Sequence, residues 1–240
     1  MGLFMRLLFL LALFAVLVNA QAKETREEAL ERWFNSDSFD LPDVDSTAHV
    51  NEGDLEFLAS APKPGIHHHH NSITILPTSL HDGWIKLEQC HTNLDKVFAA
   101  QIMFNKDKVR DIQITEYKNI SKAWVEGSSV QMQQIKANAK LCLKARSRAL
   151  IDDDNGKYHL RSGPYMRKFL DGYYPIRLSM DIKYQDTGLK LVSVSPEQQK
   201  GFKVWKKPGN FGFDAIFEGR LTTEFGFKVG PIRLSSSKTH

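Results

Sequence analysis

From Ile66 onward the chain alternates apolar and polar residues with period two, which restricts it to strands that bury one face. Ile73 and Ile75 alternate with polar neighbours, and so do Ile85 and Leu87 after Trp84. Residues 97–104 and 109–115 repeat the pattern on either side of the polar stretch 105–108, which has the length of a hairpin loop. Residues 135–150 satisfy two patterns. Ile135, Ala137, Ala139, Leu141, Leu143 and Ala145 share one strand face, whereas Met132, Ile135, Ala139 and Leu143 also fit a helix. The strand is preferred because Asn155-Gly156 follows ahead of a second alternating run, and that dipeptide supplies the positive φ of a tight hairpin turn.

Two segments resemble each other. Residues 97–104 followed by 108–115 match 176–184 followed by 189–195, and each leads on to a strand ending in Glu-Gly, at Glu126-Gly127 and Glu218-Gly219. The expected architecture is therefore mainly β: an antiparallel, sandwich-like fold with a duplicated hairpin-plus-strand unit (84–150 and 157–228). In that duplication Trp124 and Ile216 face alike, as do Val125 and Phe217.

The first residues read as a secretory signal. Arg6 is the one charge before an unbroken apolar run over residues 7–18, and Ala20 and Ala22 offer a peptidase small residues at the spacing it needs. That run makes roughly 18 Å of helix, against the roughly 30 Å hydrocarbon core a permanent span must cross. The expected division is a signal peptide (1–22), an acidic arm (23–65) opening on a short helix over 24–34, a β domain (66–232) and a flexible tail (233–240). No integral membrane span is expected once the signal is removed, and the expected location is periplasmic or secreted. Export makes Cys90 and Cys142, the chain's 2 cysteines, a disulfide pair.

Charge is unevenly placed. Residues 23–57 are strongly acidic while the whole chain carries +4, so the body is basic and suited to an anionic envelope component or a protein partner. Nucleic acid is not expected as a partner, because the exported chain shows no clustered arginines interleaved with aromatics.

No nucleophile elbow, zinc-protease helix or phosphate-binding loop is present. The Asp152-Asp153-Asp154-Asn155-Gly156 run is a turn before it is a calcium loop, since no bidentate Glu stands at the required distance. Glu126 and Glu218 each precede a turn glycine, which explains them more simply than paired glycosidase carboxylates. Ser235 and Lys238 match a nucleophile–base spacing but sit in a Ser-rich terminus.

The unusual cluster is histidine. His67, His68, His69 and His70 are consecutive, and His81 and His91 follow closely. On a strand His67 and His69 share a face about 6.5–7 Å apart, a spacing that lets two imidazoles reach one Zn²⁺ or Cu²⁺ ion. The candidate metal ligands are His67, His69, His81 and His91. The sequence is read as an exported, non-catalytic binding or envelope-associated β protein. The alternatives are a periplasmic transition-metal-binding protein and a secreted hydrolase with scattered catalytic residues.

Overall fold

The computed structural model describes residues 53–170 and 172–230, all within the unit His49–His240. The signal peptide expected over 1–22, the helix expected over 24–34 and the tail expected over 233–240 lie outside the described residues. The fold is mainly β, with two large sheets in a sandwich-like arrangement. The larger contains β1 (Glu56–Phe57), β2 (His68–Thr74), β3 (Trp84–Leu94), β4 (Ala99–Met103), β5 (Val109–Glu126), β6 (Ser129–Arg148), β11 (Ile176–Lys183), β13 (Phe202–Lys207) and β14 (Asn210–Glu218). The smaller runs in the order β12 (Leu189–Ser195), β15 (Leu221–Val229), β8 (Lys157–Tyr165), β7 (Leu150–Asp152). Two short strands, β9 (Lys168–Phe169) and β10 (Gly172–Tyr173), pair with each other, and the helical turn α1 (Ser79–Asp82) joins β2 to β3.

Period-two alternation maps directly onto this plan. Ile176, Leu178, Met180 and Ile182 of β11, with Phe211, Phe213, Ala215 and Phe217 of β14, present one buried face. Leu160 of β8 and Leu221, Phe225 and Phe227 of β15 meet them from the smaller sheet in one continuous core. Ring pairs such as Phe202–Phe213 (4.8 Å between centroids) and Phe211–Phe225 (4.9 Å, edge to face) fill it. Each fully buried Phe contributes roughly 1.5–3 kcal/mol. Trp205 closes the far side of β14 against Gly212, where an added Cβ would lie 2.4 Å from the indole and 2.2 Å from the Met180 carbonyl oxygen.

A second core forms inside a curled ribbon. β5 and β6 make one long hairpin whose turn lies at Gly127-Ser128. One edge of β6 is covered by β5; the other is covered first by β4, which pairs with residues 129–133, and then by β3, which pairs with residues 139–148. Phe104 N–H donates to the Ser128 carbonyl at the hairpin tip, while Arg148 N–H, at the opposite end of β6, donates to the Lys108 carbonyl. The short segment between Phe104 and Lys108 therefore ties together both ends of β6, although a flat strand of that length would hold them roughly 60 Å apart. The ribbon must fold over itself. Register breaks in β5, with left-handed backbone at Asp111, Asn119, Gln134 and Asn138, provide the bends. Val130, Met132 and Ile135 from one half then pack with Ala139, Leu141 and Leu143 from the other.

Residues 135–148 belong to β6 and Leu150 opens β7, and Asn155-Gly156 sits in the turn between β7 and β8, both as the alternation indicates. Cys90 and Cys142 stand directly opposite each other across β3 and β6, 4.1 Å apart at Cα and joined as a disulfide.

Three features differ from the sequence reading. β4 and β5 do not pair as a hairpin; each pairs with β6 instead, because the curl brings both edges of that strand within reach. The proposed duplication does not share a strand order: β4 and β5 occupy one sheet, whereas β11 and β12 lie in different sheets. Val125 is 39% exposed where Phe217 is fully buried, so the matched positions meet different surroundings. Finally, β2 and β11 pair in parallel within a sheet whose other ladders are antiparallel. Side-chain alternation has the same period in either direction and cannot signal this.

Candidate functional site: a cavity floored by histidine and amide side chains

Between the inner face of β2 and β3, the curled ribbon, and the segment that follows β8 lies a cavity of about 760 Å³. Its floor follows from the β2–β3 register, which pairs Ile73 with Leu87, Asn71 with Gln89 and His69 with His91. Side chains two apart share a face, so Ile85, Leu87, Gln89 and His91 form a row along β3. One end of the floor is apolar and the other polar. Asn71, Gln89, His69 and His91 are all buried.

These polar groups form a connected network. Nε2 of His67 lies 2.9 Å from Nδ1 of His91, and the Gln89 side-chain nitrogen lies 2.8 Å from Nε2 of His91 and 2.7 Å from Nε2 of His69. His69 Nε2 is also 3.0 Å from Asn71 Oδ1. The Asn71 amide donates to the Tyr165 hydroxyl at 2.9 Å, and that hydroxyl bonds Ser162 Oγ at 2.5 Å. A single imidazole nitrogen cannot accept from Gln89 and donate to Asn71 at once. With the Gln89 amide turned over the roles become consistent: His69 and His91 donate through Nε2 to its oxygen, the His69 N–H being shared with Asn71 Oδ1, and His67 donates to His91 Nδ1. The imidazoles stack as well, with ring centroids 4.2 Å apart for His69–His91 and 5.2 Å for His67–His91.

Burial keeps these rings neutral. It lowers His67 to about 4, helped by the Arg167 charge and opposed by Asp95. Burial lowers His69 to about 3, with His67 adding to the effect, and carries His91 well below the usual imidazole range. Burial pushes the Tyr165 phenol up to about 12, so it remains a hydrogen-bond donor. At the polar end Arg167 clasps Asp95 through Nε (2.9 Å) and Nη2 (2.6 Å). Burial raises the Asp95 carboxyl but the two Arg167 hydrogen bonds outweigh it, so its pKa is lowered overall.

The structure brings together three of the four candidate metal ligands. His67, His69 and His91 share the cavity floor; His81 sits exposed on α1 and lines no part of the cavity. Among the described residues no group of three or more His, Cys, Asp or Glu side chains is set to hold a metal ion. His91 turns one nitrogen to His67 and the other to Gln89, so the three rings do not converge on one point.

Asn71, Gln89, Tyr165 and the Arg167–Asp95 pair were not among the candidates. Asn71 and Gln89 carry a readable signal, because each interrupts an apolar row, before Ile73 and Ile75 and after Ile85 and Leu87 respectively. Tyr165 and Arg167 carry none, since only the tertiary fold lays them over β2.

On the opposite face of β2, His68 Nε2 and His70 Nδ1 flank Ser179 Oγ at 2.7 and 2.8 Å, and His70 Nε2 lies 3.5 Å from Asp181 Oδ2. The order Asp-His-Ser resembles an acyl-transfer relay, yet it sits on an open sheet face with His70 and Asp181 37% and 38% exposed. β11 is paired on both edges, to β2 and to β14, so its N–H groups are committed to the ladders and do not frame an oxyanion hole beside Ser179. Among the described residues no helix is long and apolar enough to cross a membrane.

Comparison with known proteins returns little. No family model matches the chain, and no curated protein matches its sequence. Among solved structures it is similar to a mutant M1 zinc metallopeptidase from Deinococcus radiodurans bound to a Tyr-Ser-Ala substrate, with 7% identity and a TM-score of 0.36 over 75% of this chain and 43% of that one. A two-domain M1 zinc metallopeptidase mutant bound to L-tryptophan gives 8% identity and a TM-score of 0.33 over 75% and 43%. The chain thus spans less than half the length of these structures, and likenesses of this size assign neither family nor activity.

Proposed function

We propose that this is an exported, non-catalytic binding protein whose small-molecule ligand occupies the cavity above β2 and β3. The observation that carries the reading is the cavity itself: about 760 Å³, with apolar walls and a buried, hydrogen-bonded polar end. Ligand sites of this size combine apolar lining with a few placed polar groups in the same way. The apolar leader at residues 7–18 and the disulfide support work in an oxidising compartment outside the cytoplasm.

The geometry favours an organic ligand over Zn²⁺ or Cu²⁺, because a metal would require His91 to turn and Gln89 to leave its place. It favours binding over hydrolysis, because the cavity holds neutral imidazoles and amides but no nucleophile paired with a base.

The test is a neutral, environment-sensitive dye. Nile red should brighten and shift to the blue on mixing with the protein, and Ala100→Trp, which fills the cavity from β4, should reduce the signal at least tenfold while the circular dichroism spectrum is unchanged. Equal dye binding by the filled variant would place the dye elsewhere and overturn the reading.

A further inference from the structure

The two ends of the cavity differ in a way that identifies a class of ligand. At the end nearest Ile85, Lys108 and Arg148 are joined through their backbones, and Trp84 pairs with Arg148 in the β3–β6 ladder. The β7–β8 register sets Leu150 opposite Leu160, which carries Arg161 alongside Ala149 and so next to Arg148. Lys108, Arg148 and Arg161 all line the cavity and are exposed, and Glu224 stands across from Arg161 in the β8–β15 ladder without forming an ion pair with it. Among the described residues none of them is paired with a carboxylate. Asp95, the one acidic residue lining the cavity, is at the other end and is held by Arg167.

Between these ends the walls are hydrocarbon, with Leu87 on the floor, Ile102 and Phe104 beside β4, and Met132 and Ile135 from the ribbon. From Ile85 to His91 the floor extends roughly 20 Å at the strand rise. The polar end is unsuited to an anion. Its imidazoles are neutral, Arg167 is already held by Asp95, Lys168 is exposed with its ammonium over the Tyr173 ring, and an anion buried on the histidine floor would lose its hydration without compensation. A hydroxyl or carbonyl group, by contrast, can join the Gln89–His69–Tyr165 network.

Resting on the cavity being the ligand site, we infer that the ligand is a single-chain anionic amphiphile. Its carboxylate or phosphate head meets Lys108, Arg148 and Arg161, and its alkyl chain lies over Leu87 toward the polar floor. Arginine suits this task because its planar donors grip either oxyanion two at a time.

The experiment compares three ligands of equal chain length against the full chain by displacement of bound Nile red: sodium dodecanoate, dodecyl phosphate and dodecanol. At low salt both anions should displace the dye at least tenfold more effectively than dodecanol. Arg148→Gln/Arg161→Gln should remove most of that advantage while leaving dodecanol unaffected. The charge-matched control Lys203→Gln/Lys206→Gln, on β13 away from the cavity, should retain it. A preference confined to dodecanoate or to dodecyl phosphate would identify the head as carboxylate or phosphate. Equal displacement by all three ligands, or an advantage that survives the double arginine change, would overturn the ligand class while leaving the cavity as the site. Failure of Nile red and all three ligands to bind would overturn the cavity reading itself.

Discussion

Reduction of Cys90–Cys142 is expected to lower the stability of the fold by about 4 kcal/mol, the chain-entropy value for closing a loop with a sequence separation of 52. The bond joins β3, which carries Gln89 and His91, to β6, which walls the cavity. The ribbon it anchors is bent at several left-handed residues, and its ends are tied by the Phe104–Ser128 and Lys108–Arg148 backbone bonds in addition to the ladders. Loss of the cross-link therefore removes the one covalent tie between the cavity floor on β3 and the ribbon on β6, leaving ladder pairing and packing to hold them together. Urea unfolding of the protein with and without a phosphine reductant measures the effect, and Cys90→Ser/Cys142→Ser should reproduce it. A difference below about 1 kcal/mol would mean that the cross-link restrains the unfolded chain little and would contradict the chain-entropy value.

The second large effect is acid sensitivity. His67, His69 and His91 have folded-state pKa values below that of free imidazole, so below pH 6.5 the unfolded chain binds more protons than the folded one. Their contribution is complete above about pH 6.5 and is lost as pH falls toward 4, each group adding a slope of up to about 1 kcal/mol per pH unit. Between pH 7 and pH 5 the fold should lose roughly 3–6 kcal/mol, a large part of the stability of an ordinary domain. His69→Gln/His91→Gln should flatten the dependence to about a third of its slope. Unfolding midpoints at half-unit steps of pH provide the check. An unchanged slope in the variant would show that the rings are hydrated and titrate freely.

Much of this architecture is written in side-chain alternation. Residues 176–182 and 211–217 announce buried strand faces, Asp154-Asn155-Gly156 announces the turn before β8, and His67, His69 and His91 fall on one face because period two and the register require it. What alternation cannot express is direction and curvature. The parallel match of β2 with β11 depends on which edges are free once the sheet has assembled, and the curl of β5 and β6 depends on left-handed backbone at Asn, Asp and Gln rather than at glycine. The site was half legible for the same reason. Its floor lies on two adjacent strands, whereas Tyr165, Arg161 and Arg167 come from a segment far along the chain that only the packed sandwich lays over them.

The most direct test of the cavity as the binding site is a two-dimensional amide NMR titration of the isotopically labelled protein with dodecanoate. Saturable shifts should concentrate on residues 85–91, 100–104, 132–135 and 161–167, while His68, His70, Ser179 and Asp181 on the outer face of the same strands stay in place. Shifts centred on that outer face, or spread over the surface without saturation, would contradict a ligand held above β2 and β3.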